Sequence, residues 1–243
     1  MRTYIINLAQ ATDRREYLKE VLKDASSMEI KWIEGVDGRC LTDDEIKELF
    51  DGSKFSKTYL RSIRRGELGC VLSHQKCYKD LLDSEEEISI VFEDDIVLKS
   101  SAEEIIRTAK QIMPLDKPAV LLLSGWYWYS RKRPLDNERF ICKVIDARLA
   151  HAYVINREAA RIMYHQKPYF LADDWGVMRR RGIEIYGLMP PLVNQNWSPE
   201  FHSQTNTGPV ELNFRLTSWI KNILIYSLPR RIAKIAGHFV SPD

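Results

Sequence analysis

The chain has 243 residues, 44% of them hydrophobic and 29% charged, with a formal net charge of +2. Such a composition excludes disorder, collagen-like sequence and repeat arrays, and the length allows one large domain or two small ones. A charge this near zero gives no ground to expect nucleic acid as a partner, and no apolar run approaches the roughly 20 residues that span a bilayer.

The N-terminus runs straight into a strand-like Tyr4-Ile5-Ile6-Asn7-Leu8, so no signal peptide is expected. Asp13-x-x-Glu16 then reads as a capping box, opening a helix whose apolar face carries Tyr17, Leu18, Val21 and Leu22. Lys31-Trp32-Ile33 predicts a second short strand, ending in the glycine-bearing loop Gly35-Val36-Asp37-Gly38. Thr42-x-x-Glu45 caps another helix, after which residues 51–65 are polar and basic without a clear period. From Glu67 to Leu82 the apolar residues fall on one side of a long helix.

Ile88-Ser89-Ile90-Val91-Phe92 is a short apolar run of the kind that forms a strand covered on both faces. Ser100-x-x-Glu103 caps a further helix, which Met113-Pro114 stops, and Ala119–Leu123 is again a buried strand. It runs into the aromatic stretch Trp126-Tyr127-Trp128-Tyr129. Strands around 140–145 and 149–155 lead to a helix capped at Asn156, Asp173-Asp174-Trp175 opens another helix, and Ile183–Tyr186 gives a last short strand before Pro190-Pro191. The alternation predicts one α/β domain over residues 1–205. A basic, amphipathic helical tail is expected over 206–243. Between Leu212 and Asp243 there are five cations against one anion, and Trp219, Ile220, Ile223, Leu224 and Tyr226 fall at helical spacing. That pattern suits an anionic membrane surface.

Glu93-Asp94-Asp95 follows the Ile88–Phe92 strand directly, and ligand crevices of open α/β sheets lie outside the carboxyl ends of such strands. Three crowded carboxylates call for a cation or for donors on a ligand, and an all-oxygen set suits Mn²⁺ or Mg²⁺ better than zinc. The same triplet also fits a solvated turn. Asp173-Asp174 is open between a chemical role and simple helix capping; Arg14 and Arg15 fit either a phosphate clamp or a solvated helix face. The aromatic stretch cannot be buried at every position if it alternates as a strand, so some of its rings are expected to stand exposed as a sugar platform. Of the five histidines, His202 stands out, because its polar loop could fold back over a ligand and complete a metal's coordination. The cysteines Cys40, Cys70, Cys77 and Cys142 make no CxxC and no Cys/His zinc spacing, which fits a reducing, intracellular compartment.

Taken in order, these segments resemble glycosyltransferase family 25, the enzymes of lipopolysaccharide and lipooligosaccharide synthesis, with collagen galactosyltransferases as distant relatives. The residues that carry the resemblance are Tyr4–Leu8 with Thr12–Arg15, Gly35–Gly38, Gly66–Cys70 with Leu72-Ser73-His74, Val91–Asp95, His151–Ala160 and Pro190–Val193. The resemblance implies a GT-A-like, nucleotide-sugar-binding α/β sandwich with a mixed central sheet. It further implies inverting, metal-dependent transfer from a UDP-sugar, most often UDP-galactose, onto a lipid-linked outer-core oligosaccharide at the inner face of a bacterial inner membrane. Donor binding then falls to Asn7, Leu8, Arg14, Asp37, Ser73, Glu93, Asp94 and Asp95. The metal falls to Asp95 with His202, the general base to Asp174 with Asp173 as its rival, and the acceptor to Trp126, Tyr127 and Trp128. A phosphoacceptor receiver module is excluded because 87 residues precede the acidic strand end. A non-catalytic carbohydrate-binding protein and a metal-dependent nucleotidyltransferase remain as rivals.

Overall fold

A computed structural model describes residues 1–198, 201 and 227–241. Nine strands form one mixed sheet. In chain order they are β1 (Arg2–Asn7), β2 (Glu29–Glu34), β3 (Ile88–Glu93), β5 (Ala119–Leu122), β6 (Tyr127–Pro134), β7 (Phe140–Ala147), β8 (Ala152–Asn156), β9 (Glu184–Met189) and β11 (Phe239–Val240), and the spatial order is β11-β6-β7-β9-β5-β8-β3-β1-β2. Strands β2, β1 and β3 are mutually parallel, while β8 runs antiparallel between β3 and β5. A separate two-stranded ribbon pairs β4 (Ile96–Leu98) with β10 (Val193–Gln195). This is the α/β sandwich with a mixed central sheet that the sequence predicts.

The two faces of the sheet bury different helices, as strands with near-continuous apolar runs require. On one face α1 (Thr12–Val21) and α5 (Ala102–Ile112) cover Ile5, Ile90, Phe92 and Leu121, using Leu18, Leu22, Ile105 and Ala109. On the other, α3 (Gly52–Tyr59), α4 (Arg65–Asp83), α6 (Arg157–Met163) and α7 (Trp175–Arg180) cover Tyr4, Val91, Tyr153 and Ile155.

Local signals at helix starts fared unevenly. Thr42 and Glu45 make the predicted capping box on α2 (Asp43–Leu49), and Asn156 caps α6 through the backbone N–H of Ala159. By contrast, α1 begins at Thr12 with Ala11 at its cap and no side-chain cap, which leaves Asp13 in the first turn, and α5 is capped one residue later than expected, by Ser101. The stretch read as aperiodic holds α3, capped by Asp51 and bringing Phe55 and Tyr59, four residues apart, onto the core.

Two of the motif glycines explain each other. A Cβ on Gly38 would lie 2.0 Å from the carbonyl oxygen of Arg65, and one on Gly69 would lie 2.3 Å from that of Val36. The β2–α2 loop and the first turns of α4 therefore touch backbone to backbone. Ser73 fastens the contact: its hydroxyl accepts from the Val36 N–H (2.8 Å) and donates to the Gly69 carbonyl (2.7 Å). Ser73, expected at the donor site, thus serves as a buried tether between the two segments.

The aromatic stretch departs from its expectation as well. It lies in β6, yet Tyr127, Trp128 and Tyr129 are all buried, because register shifts on either side of Tyr129 break the alternation and C-terminal residues cover the other face. Phe239 packs on Trp128 with ring centroids 5.0 Å apart, and the Arg230 guanidinium sits 5.2 Å over the same indole. Residues 227–241, set apart by sequence as tail, thus pack on the domain. Helix α8 (Leu228–Ile235) sends Arg230 to Asp146, and β11 extends the sheet against β6. His202 and the apolar tail positions 219–226 lie outside the described residues.

Candidate active site

The carboxyl ends of β1, β2, β3 and β5 and the start of β8 share one edge of the sheet. The Glu93-Asp94-Asp95 triplet occupies that edge, and its three carboxylates take three different directions.

Asp94 turns toward the first strand. It accepts from Asn7 Nδ2 (2.9 Å) and from the Arg14 guanidinium (2.8 Å), so burial pushes its carboxyl above the ordinary range while these two donors oppose the rise. Asn7 also donates to the Ala11 carbonyl, leaving its own Oδ1 buried without a partner. Arg14 and Asn7, both expected to touch the donor, are thus brought together around Asp94, with Leu8 partly exposed beside them. Asp37, at the end of β2, is held at about 2 by the Arg39 guanidinium and also accepts from Gln10 (2.7 Å). It is ionised at any working pH.

Glu93 turns to the opposite side, toward α4. Its Oε1 lies 3.0 Å from His74 Nε2 and 3.7 Å from the Cys70 thiol. Burial, the largest single influence, works against its ionisation, but the bond to and charge of His74, with His151 and the Cys70 thiol, together outweigh it and hold the carboxyl below the ordinary range.

Asp95 is the member left open. Its Oδ2 accepts from Gln195 Nε2 (2.7 Å), and its carbonyl accepts from the Asn196 N–H (2.6 Å), so the end of the β4–β10 ribbon latches it in place. Its Oδ1 is buried with no hydrogen-bond partner among the described residues, as is Gln195 Oε1. Burial, with the charges of Glu93 and Asp94 beside it, pushes the carboxyl up to about 7. Sequence reasoning missed Gln195, which stands 100 residues away; its only signal was its place in the polar loop after Pro190-Pro191.

Asp173 and Asp174 separate cleanly. Asp174 caps α7 through the Val177 N–H (2.9 Å) and accepts from the Tyr59 hydroxyl (2.7 Å), so both of its oxygens are occupied. Asp173 has one long contact, from the Leu149 N–H at 3.4 Å. Burial raises both carboxyls, and the charges of Asp174 and Glu93 add to the rise at Asp173, which places it beside the acidic cluster. Of the three acceptor aromatics expected, Tyr127 is 0% exposed with its hydroxyl on the Leu188 carbonyl, and Trp128 is covered as described. Only Trp126 stands open. Its φ of 91° is unusual for a bulky residue, held by bonds from its N–H to Val240 and from the Arg148 N–H to its carbonyl, and its ring meets that of the exposed Trp197 edge-on at 6.4 Å.

The model of glycosyltransferase family 25 (LPS biosynthesis protein) matches residues 1–174. The chain belongs to that family. Among curated relatives, procollagen galactosyltransferase 2 of Mus musculus is 35% identical over 195 residues, covering 78% of this chain and 28% of the relative. Its Homo sapiens counterpart is 26% identical over 174 residues, covering 68% and 28%. A glycosyltransferase 25 family member from Anopheles gambiae is 25% identical over 224 residues, covering 83% and 34%. The chain therefore spans about a third or less of these relatives' length. Among solved structures, UDP-glucose pyrophosphorylase complexed with UDP-glucose superposes with a TM-score of 0.42 at 9% identity, covering 76% of this chain and 89% of that one. A protein named A197 from STIV gives 0.45 at 11% identity, covering 88% and 94%. Residues 1–174 are thus a glycosyltransferase family 25 region.

Proposed function

We propose that this family 25 enzyme transfers galactose from UDP-galactose, with inversion, onto the outer-core oligosaccharide of a lipid-linked lipopolysaccharide acceptor. The observation that carries the reading is Asp95, a buried carboxylate aimed by Gln195 at the carboxyl edge of the sheet with one oxygen unpartnered. Galactose is suggested by the names of the relatives, and the acceptor by the description of the family model.

The oxygens Asp95 Oδ1, Asn7 Oδ1 and Gln195 Oε1, all lacking partners among the described residues, are hard donors that fit Mn²⁺ or Mg²⁺. Such an ion, held by Asp95, would supply Lewis-acid stabilisation of the departing diphosphate. The chain's own residues do the rest. Asp94 fixes Arg14 and Asn7 beside β1, where they orient the nucleoside end of the donor with Asp37 and Leu8. Asp173, unoccupied by strong donors and raised by burial, takes the proton from the acceptor hydroxyl. Trp126 and Trp197 offer their rings to a sugar face.

The membrane side of the reading rests on α8, where Leu228, Ile232 and Ile235 are exposed at helical spacing with Arg231 and Lys234 among them. Among the described residues no helix is long and apolar enough to cross a membrane, so docking would be peripheral, at an inner leaflet facing the cytoplasm. Co-sedimentation with anionic vesicles is expected for the full chain and is expected to fall at least several-fold for Ile232→Asp; equal pelleting of the two would remove α8 as the anchor.

The central test is release of UDP from UDP-galactose with an oligosaccharide acceptor and Mn²⁺, with and without EDTA. Acceptor-dependent release abolished by EDTA supports the reading. Release of pyrophosphate instead would point to a nucleotidyltransferase, and binding without turnover to a carbohydrate-binding protein.

A further inference from the structure

On the α4 side of the sheet, behind the Asp95 edge, three potential metal-ligating groups converge, with a fourth on the adjoining strand. Cys70 and His74 are four residues apart and therefore share one face of α4. Below them is Glu93. Next to Glu93, on β8's leading end, is His151: the Glu93 N–H donates to the His151 carbonyl (2.8 Å), and the register of the neighbouring pair, Phe92 with Ala152, makes Glu93 and His151 direct cross-strand partners. Side chains opposite one another in an antiparallel pair project from the same face with Cβ atoms about 4.5–5.5 Å apart.

The ligand atoms of Cys70, His74 and Glu93 all lie within 4.8 Å of one another, with N···O at 3.0 Å and S···O at 3.7 Å. A tetrahedral zinc at ordinary bond lengths would set those separations at about 3.4 Å and about 3.6 Å, so seating one on these three requires a small opening of the His74–Glu93 pair, and a turn of the His151 ring toward it completes the set.

Two further observations point to a ligand. His151 is 1% exposed and neither of its ring nitrogens has a hydrogen-bond partner among the described residues, which is costly for a buried imidazole and is reduced when one nitrogen ligates a metal. His74 is oriented as a metal-ligating histidine usually is, with Nδ1 tied at 2.8 Å to the Tyr153 hydroxyl, whose own proton goes to Tyr78 (3.0 Å).

We propose that Cys70, His74, Glu93 and His151 form a zinc-type site, distinct from the Asp95 edge, that braces α4 against β3 and β8. The spacing of the cysteines carried no zinc pattern because the ligands come from a helix and two strands. Binding releases the Cys70 thiol proton to solvent; thiolate and carboxylate then balance the ion's two charges, with both imidazoles neutral. Glu93 ceases to act as a bare charge beside Asp95 and Asp173.

The test loads the full chain with one equivalent of Zn²⁺ or Co²⁺ in excess Mg²⁺, removes loose ions by desalting, and measures bound metal by mass spectrometry. Expected are one zinc per chain, a raised unfolding midpoint, and a near-ultraviolet thiolate-to-cobalt absorption in the cobalt form. Bound zinc should persist in Asp95→Asn and vanish in Cys70→Ser and His151→Ala. No retained zinc, retention by Cys70→Ser, or cobalt without thiolate absorption would overturn the site. If Cys70→Ser does not fold, the cobalt spectrum of the unaltered chain decides alone. None of these readouts depends on sugar transfer, so the site and the proposed reaction can fail separately.

Discussion

Asp95→Asn is expected to abolish transfer while making the ligand-free protein more stable at pH 8. The carboxylate is buried, one of its oxygens has no partner, and Glu93 and Asp94 crowd it, which together raise it to about 7. An acid raised in the folded state binds more protons folded than unfolded between its two pKa values. Its contribution to stability is therefore most favourable at low pH and falls as pH rises from about 4 to about 7. Above that window the native chain carries the full penalty, with an upper limit of about 4 kcal/mol. Asparagine removes the charge and keeps an oxygen to accept from Gln195. Denaturant unfolding of both proteins at pH 5 and pH 8 checks this. The advantage of the variant should be large at pH 8 and small at pH 5, and Mn²⁺ with UDP should stabilise only the natural protein. Glu93, whose carboxyl is held down, tilts stability in the opposite sense, and because its charge and that of Asp95 repel each other, removing the latter also eases Glu93's ionisation and adds to the variant's advantage at pH 8. A variant no more stable than the natural chain at pH 8 would show that the Asp95 environment is already compensated. Stability given up at a working carboxylate is what a site built for a charged ligand requires.

The features legible in the sequence were those whose physics is local. A β-branched run ending in three acids had to be a buried strand opening at the sheet edge, and Gly38 and Gly69 sat in motifs whose purpose, a backbone contact, is geometric. What stayed hidden came from distant partners. Nothing near Asp174 indicates that Tyr59, 115 residues earlier, will fill its second oxygen, and nothing near Asp95 indicates Gln195. The aromatic stretch misled for a related reason: alternation describes a strand with one open face, whereas Phe239 and Arg230 close the second face over Trp128. In α3 the periodic signal reduces to Phe55 and Tyr59, too few positions for a pattern to register, although the Asp51 cap was there to be read. The same non-locality kept Cys70, His74 and His151 from reading as one cluster.

The tertiary contacts also set the two aspartates apart, and kinetics tests the proposed assignment of the base to Asp173. Asp174 spends one oxygen on the start of α7 and the other on Tyr59, so Asp174→Ala is expected to lower stability by about 1–2 kcal/mol through loss of the cap and of the hydroxyl's partner. Its kcat should stay within a few-fold of the natural value once the protein is folded. Asp173 has no comparable structural employment. For Asp173→Asn, kcat should fall roughly 10²–10⁴-fold, donor KM should hardly move and the unfolding midpoint should be kept. Because burial and the nearby charges of Asp174 and Glu93 raise the Asp173 carboxyl, the proton it must lose before acting comes off nearer to working pH than that of an ordinary aspartate. The natural enzyme should accordingly lose kcat on the acid side, and the residual activity of Asp173→Asn should lack the part of that decline due to this group. The opposite split, with Asp174→Ala inactive but fully stable and Asp173→Asn active, would return the base to Asp174 and leave the capping geometry as a secondary duty.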